Sequence, residues 1–286
     1  MRRRIAGRAP VALALRFAAL IVLAIAAAAP AGAAESGAFA VVNGHRIYYE
    51  VRGEGRPLLL LHGGGATIAT TFGHQIDAFA ATHRVIAIEQ VGHGHSPAVE
   101  GSLSYAAMTE DTFGVLDALG VRGADVVGLS DGAIIALMLA ARHPDCVRRV
   151  VAAGANFAPD GYRARDLAGL RKTDPETMFS AADRAAILRL APEGRARLAS
   201  LGRQLKDLWL NRPTPDELSL AILARVERPV LVVSGDHDVI REAHTLQLLQ
   251  ALPDSALWFV PGSGHDVFNE KPALVQRVVL GWLAQP

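Results

Sequence analysis

Cysteine is almost absent: Cys146 is the only thiol in 286 residues, so no intramolecular disulfide can form and no thiol follows the amino-terminal segment to accept a lipid. No glycine-rich loop ends in Lys-Ser or Lys-Thr, which argues against nucleotide binding of the P-loop kind. Internal repeats are missing, and so are low-complexity linkers within the body of the chain. Excess charge is missing too. The formal net charge of +1 hides an asymmetry: Arg2, Arg3, Arg4, Arg8 and Arg16 lie in the first segment, and setting these five aside from 29 basic residues leaves 24 against 28 acidic ones. A mildly acidic body lacks the basic stripe that a phosphate backbone requires, so nucleic acid is not an expected partner. What is present is a chain 51% hydrophobic with 27 glycines, enough to bury one large core in a single domain carrying an insertion.

The first segment reads as an address. An arginine-rich start precedes an apolar run from Phe17 to Ala29, and small residues follow to Ala34 ahead of Glu35. The run is shorter than the roughly 20 residues that span a bilayer. Residues 1–34 are therefore expected to be a signal peptide cleaved after Ala33 or Ala34, with the mature protein exported to the periplasm or beyond. The alternative is an uncleaved amino-terminal anchor, since alanine-rich sequence reaches back to Val11; Arg16 interrupts it.

Beyond the leader, Ala38–Val42 and Arg46–Val51 are β-rich runs joined through Asn43-Gly44, a strong hairpin signal. The chain then alternates apolar strand runs (Leu58–Leu61, Val85–Ile88, Asp125–Leu129, Val147–Ala152, Val230–Ser234, Leu257–Val260) with helical ones (Ile76–Ala81, Tyr105–Leu119, Ala133–Arg142, Thr245–Ala251, Ala273–Leu283). This is the βαβ rhythm of a mostly parallel, doubly wound sheet. Between 156 and 228 the rhythm breaks into arginine-, alanine- and leucine-rich helical segments without a convincing strand. The expected organisation is an α/β core over 35–155 and 229–286 with a helical cap inserted over 156–228.

Gly128-Leu129-Ser130-Asp131-Gly132 lies where a buried strand gives way to a helix. Flanking glycines allow a turn tight enough to lift the serine hydroxyl above the sheet edge, and the amide of Asp131 opens the helix, where it can meet a developing oxyanion. A serine hydroxyl is a poor nucleophile without a base in hydrogen-bond reach. His265, in the loop Pro261-Gly262-Ser263-Gly264-His265 between the last strand run and the last helix, is the candidate base. A carboxylate must hold that imidazole in its working tautomer. Asp238 of Ser234-Gly235-Asp236-His237-Asp238 is the candidate, with Asp236 as the alternative. Leu61-His62-Gly63-Gly64-Gly65 ends an early strand in consecutive glycines; Gly64 is the candidate for the second oxyanion donor, and His62 is assigned to holding that loop.

His93 and His95 are spaced like a metal pair, but no third ligand is fixed beside them, and His237 with Asp238 needs no metal if Asp238 orients a base; no metal site is proposed. Cys146 reads as a buried, inert thiol. Trp209, Phe157, Phe179 and Leu210 could line a cleft or simply pack, and Arg163, Arg165, Arg171, Arg184, Arg189, Arg195 and Arg197 read as a solvated face.

From about Ala38 to the end the chain resembles the α/β-hydrolases. His62-Gly63-Gly64-Gly65, Gly92-His93-Gly94-His95-Ser96, the Ser130 turn, Gly235-Asp236-His237-Asp238 and the His265 loop fall in that family's order, with nucleophile, acid and base following one another as they do there. Many relatives carry aspartate where this chain has Glu89, which should alter loop bonding. The Ser130 turn and Gly154-Ala155-Asn156 are similar to the valacyclovir hydrolase and biphenyl-hydrolase-like branch. That likeness implies an eight-stranded α/β-hydrolase fold, cofactor-free hydrolysis of a small ester-type substrate, and a substrate-binding role for Asp131 toward an amino group. Carbon–carbon bond hydrolysis, perhydrolysis and a non-catalytic binding role remain alternatives.

Overall fold

The computed structural model describes residues 37–211 and 216–285. The leader read over 1–34 lies outside the described residues. The chain opens with β1 (Ala38–Val42) and β2 (His45–Arg52), an antiparallel pair whose register, Val42 opposite His45, leaves a two-residue turn. Asn43 and Gly44 both take positive φ there, 49° and 83°, as the twist of a tight hairpin demands. The chain continues through β3 (Arg56–Leu61), two short helices α1 (Ile68–Phe72) and α2 (Ile76–Ala80), β4 (His83–Glu89), α3 (Tyr105–Ala118), β5 (Ala124–Leu129), α4 (Asp131–Arg142) and β6 (Val147–Ala153). Among the described residues four α-helices follow before the next strand: α5 (Ala164–Lys172), α6 (Ala181–Leu190), α7 (Arg195–Asn211) and α8 (Leu220–Leu223). The chain closes with β7 (Val230–Gly235), α9 (Glu242–Ala251), β8 (Ser255–Val260), α10 (Val267–Glu270) and α11 (Pro272–Leu283).

The sheet has eight strands in the order β1-β2-β4-β3-β5-β6-β7-β8, antiparallel through β2 and β4 and parallel from β4 to β8. Leu58 to Leu61 on β3 are fully buried, because helices cover both faces of the sheet and alternate side chains enter separate core layers. One layer holds Leu59, Leu61 and Val126; the other holds Leu58, Leu60 and Val127. This is the α/β-hydrolase fold, with a helical cap inserted between β6 and β7. Leu61 is level with both Ile88 and Gly128, so the parallel strands end together at the edge where the loops bearing Gly64, Ser130, Asp238 and His265 emerge.

Candidate active site

The turn after β5 is forced by close packing of backbone. Ser130 sits at φ 53° and ψ −115°, a strained conformation held by its amide bonding Ala153 O at 2.7 Å and its carbonyl accepting from Ala133 N and Ile134 N. Neither flanking glycine could carry a side chain. A Cβ on Gly132 would strike the carbonyls of Leu61 and His62, and one on Gly128 would strike the backbone of Gly132 and Ala133. Helix α4 therefore starts at Asp131, two residues before the periodicity indicates, so the Asp131 amide stands in the first turn of the helix.

The loops after β7 and β8 bring the other two groups to this turn. His265 Nε2 lies 2.9 Å from Ser130 Oγ, and His265 Nδ1 lies 2.7 Å from Asp238 Oδ1. Asp238 is 1% exposed and also accepts from Ser234 Oγ (3.1 Å) and Ile240 N (3.0 Å). Burial alone would raise the Asp238 pKa, but the charge and hydrogen bond of His265, with these further donors, hold it below the usual carboxylate value. Burial alone would lower the His265 pKa; the charge and hydrogen bond of Asp238 outweigh that and lift it above the usual imidazole value. Asp236 accepts instead from Gly262 N (2.9 Å) and Ser263 N (3.1 Å), fixing the loop that carries His265. Glu270 tightens the same loop, accepting from Gly264 N at 2.6 Å.

His62 is buried beneath the glycine loop, its Nδ1 2.8 Å from Gly63 O and its Nε2 accepting from Gln90 N at 3.0 Å, so it ties that loop to the end of β4. Gly64 and Ser130 both line a cleft of about 630 Å³ beneath the cap, with His265, Tyr162, Met178 and Trp209 among its other walls. Three carboxylates that periodicity and motif did not single out, Asp166, Asp183 and Asp266, also line it, and no lysine or arginine does among the described residues. Each stands at the start of a helix, Asp166 and Asp183 in the first turns of α5 and α6 and Asp266 as the N-cap of α10, and only the fold brings the three helix ends together. Burial pushes the Asp266 carboxyl up, against the bonds from Asn269 that lower it.

The Asp131 carboxylate is not among the lining groups. It is 6% exposed and accepts from Tyr105 Oη at 2.7 Å and from Trp209 Nε1 at 2.9 and 3.1 Å. Of the three cap aromatics singled out in the sequence, Trp209 faces the cleft. Phe179 packs over Gly65 and Phe157 stacks on His244. Arg197 is no surface residue: it is 2% exposed and donates to Gly92 O (2.9 Å) and Ser96 O (3.0 Å). Glu89 accepts from the amide of His95 at 2.7 Å, with His95 Nδ1 2.9 Å away, so the longer acid still closes the Gly92–Ser96 turn. Among the described residues no group of three histidine, cysteine or acidic side chains is arranged to hold a metal ion, and no helix is long and apolar enough to cross a membrane.

A hydroxyl, an imidazole and a buried carboxylate in hydrogen-bonded series, at the carboxyl edge of a parallel sheet and open to a cleft, form the arrangement of a hydrolase. The chain belongs to the alpha/beta hydrolase family, whose model matches residues 58–278. It is 43% identical over 129 residues to 2-hydroxymuconate semialdehyde hydrolase of Pseudomonas putida, a match spanning 44% of this chain and 46% of that protein. It is 32% identical over 256 residues to a protein of Azorhizobium caulinodans assigned as the carbamate hydrolase RutD, covering 84% of this chain and 95% of that one. Among solved structures, an N-acyl homoserine lactone degrading enzyme superposes with a TM-score of 0.69 at 26% identity over 85% of this chain and 99% of its own. The meta-cleavage product hydrolase of Pseudomonas fluorescens, at 22% identity and a TM-score of 0.70 over 86% and 97%, shares the fold.

Proposed function

We propose that this chain is a serine hydrolase that cleaves small carboxylic ester-type substrates through an acyl-enzyme. The observation that carries the reading is the unbroken series from Ser130 Oγ through His265 to Asp238, at 2.9 and 2.7 Å, opening on the cleft. Ser130 Oγ attacks the carbonyl carbon as its proton passes to His265 Nε2, and Asp238 stabilises the imidazolium through Nδ1–H. The amides of Gly64 and Asp131 hold the oxyanion. Collapse of the tetrahedral intermediate expels the alcohol, which takes the proton from His265. Water, deprotonated by His265, then releases the carboxylic acid and restores Ser130.

Carbon–carbon bond hydrolysis by the same groups is the second reading, favoured by the likeness to 2-hydroxymuconate semialdehyde hydrolase. A muconate is anionic, however, and the three carboxylates of this cleft, without an opposing lysine or arginine among its described walls, favour an uncharged ester. The test is turnover of p-nitrophenyl esters from acetate to long acyl chains by the mature protein, beside Ser130→Ala and with fluorophosphonate labelling. Turnover and labelling that vanish together in the variant support the reading. A wild type inert to every ester and to the probe overturns it in favour of a binding protein. Export follows from the leader alone and is part of the proposal; the mass of the mature amino terminus tests it.

A further inference from the structure

We propose that the Asp131 side chain is a positioning group that clamps the cap helix α7 to the oxyanion hole, so that the seating of Trp209 sets the geometry of both amide donors. The inference rests on the acyl-transfer reading for its catalytic consequence. Its structural basis is independent of that reading. Asp131 contributes one amide donor through its backbone, while its carboxylate is bonded to Tyr105 at the start of α3 and to Trp209 on α7. The same carboxylate and the Trp209 ring occupy the space where Gly64, the other donor, would carry a Cβ. Glycine at 64 is thus required by the clamp as well as by the approach of substrate. Tyr105 also receives the far end of the cap: its amide donates to Glu217 Oε2 at 3.1 Å. Two separated points of the 156–228 segment, Trp209 and Glu217, therefore converge through Tyr105 and Asp131 on the residue beside the nucleophile.

The bifurcated bond from the single N–H of Trp209 to a buried carboxylate would have to break before α7 could lift, which would leave a charge without part of its solvation. A carboxylate so engaged is a poor receptor for a substrate amine. It acts instead through the backbone that carries it. Because the oxyanion develops on the way to the tetrahedral intermediate and is absent from the bound ester, loosening the clamp should lower kcat and spare KM.

The test compares the wild type with Trp209→Phe, which keeps a ring against Gly64 and removes the N–H, and with Tyr105→Phe, which removes a bond to the same carboxylate and leaves the cleft wall intact. Both should lower kcat about 10-fold while KM stays within about twofold. Hydrogen exchange should rise together at the amides of 63–66, 131–134 and 205–211. Unchanged kcat, or a change confined to KM, overturns the catalytic claim. Faster exchange restricted to α7 overturns the clamp and leaves Trp209 as wall packing. Tyr105→Phe decides the matter if Trp209→Phe proves insoluble. Should the wild type neither turn over esters nor label with fluorophosphonate, the acyl-transfer reading fails, while the exchange pattern still decides the clamp.

Discussion

At the scale of single residues, the site works through groups that are costly to place. Asp238 is buried, and its charge is what holds the His265 pKa above the usual 6.5. A general base acts when neutral, so kcat/KM should rise with pH and level off only above that raised pKa. Asp238→Asn removes the raising charge. The ascending limb should then move to lower pH, and the plateau should fall by about 10³- to 10⁴-fold, because the imidazole loses its preferred tautomer. A pH–rate profile of both proteins checks this, and an unmoved limb would show that another group is titrating. Gly154 gives a second residue-scale test. It takes φ +64° and faces His265, whose Cε1 would lie 2.8 Å from an added Cβ. Gly154→Ala should cut kcat about 100-fold by displacing the imidazole, with the circular dichroism of the fold retained. Ser130, His265 and Asp238 could be picked out from sequence because a nucleophile, its base and the acid behind it would require those residue types in that chain order, and the structure brings the three side chains within hydrogen-bond reach of one another. The partners of Asp131 could not, since Tyr105 and Trp209 lie 26 and 78 positions away and nothing in their local sequence marks them.

At the scale of elements, strands and helices were largely legible, because apolar runs bounded by glycine and polar residues reflect burial on both faces of the sheet. Helix α1 was not. Its five residues, Ile68–Phe72, include two threonines and follow a glycine run, and its start rests on a capping box between Thr67 and Thr70. The cap was legible as helical but not in its facing. Seven arginines spread through it read as one solvated surface, yet Arg197 turns inward from α7 to the carbonyls of Gly92 and Ser96 and pairs with Glu193 one turn earlier. Which face of an amphipathic helix meets the core is settled by tertiary packing, and a long arginine stem suits either environment. Arg197→Met keeps the stem and leaves two carbonyls without a charged donor. Urea denaturation should show a loss of about 3 kcal/mol, and limited proteolysis should cut first within the cap. A loss below about 0.5 kcal/mol would place Arg197 with the surface pairs that contribute little.

At the scale of the whole molecule, the distribution of charge bears on which bond the site meets in practice. A fold does not fix the bond that its site cleaves, so neither the sheet nor the serine series selects the substrate. The cleft does. Asp166, Asp183 and Asp266 face it from three helix starts, and two unit charges about 7 Å apart in a partly wetted cleft, at an effective dielectric of about 40, repel by roughly 1 kcal/mol. At about fivefold for each carboxylate, two or three acting together should make a p-nitrophenyl hemisuccinate, anionic at neutral pH, react about 10- to 100-fold more slowly in kcat/KM than the neutral p-nitrophenyl butyrate of similar size. The gap should narrow as salt is raised from about 0.05 to about 0.5 M, because the screening length falls below the width of the cleft. Asp166→Asn and Asp183→Asn, neither of which touches the serine series, should narrow it further by lifting the rate on the anionic ester alone. Equal rates on the two esters at low salt would mean that solvent already neutralises the cleft, and the second reading, carbon–carbon bond hydrolysis of an anionic substrate, would then be the first to test.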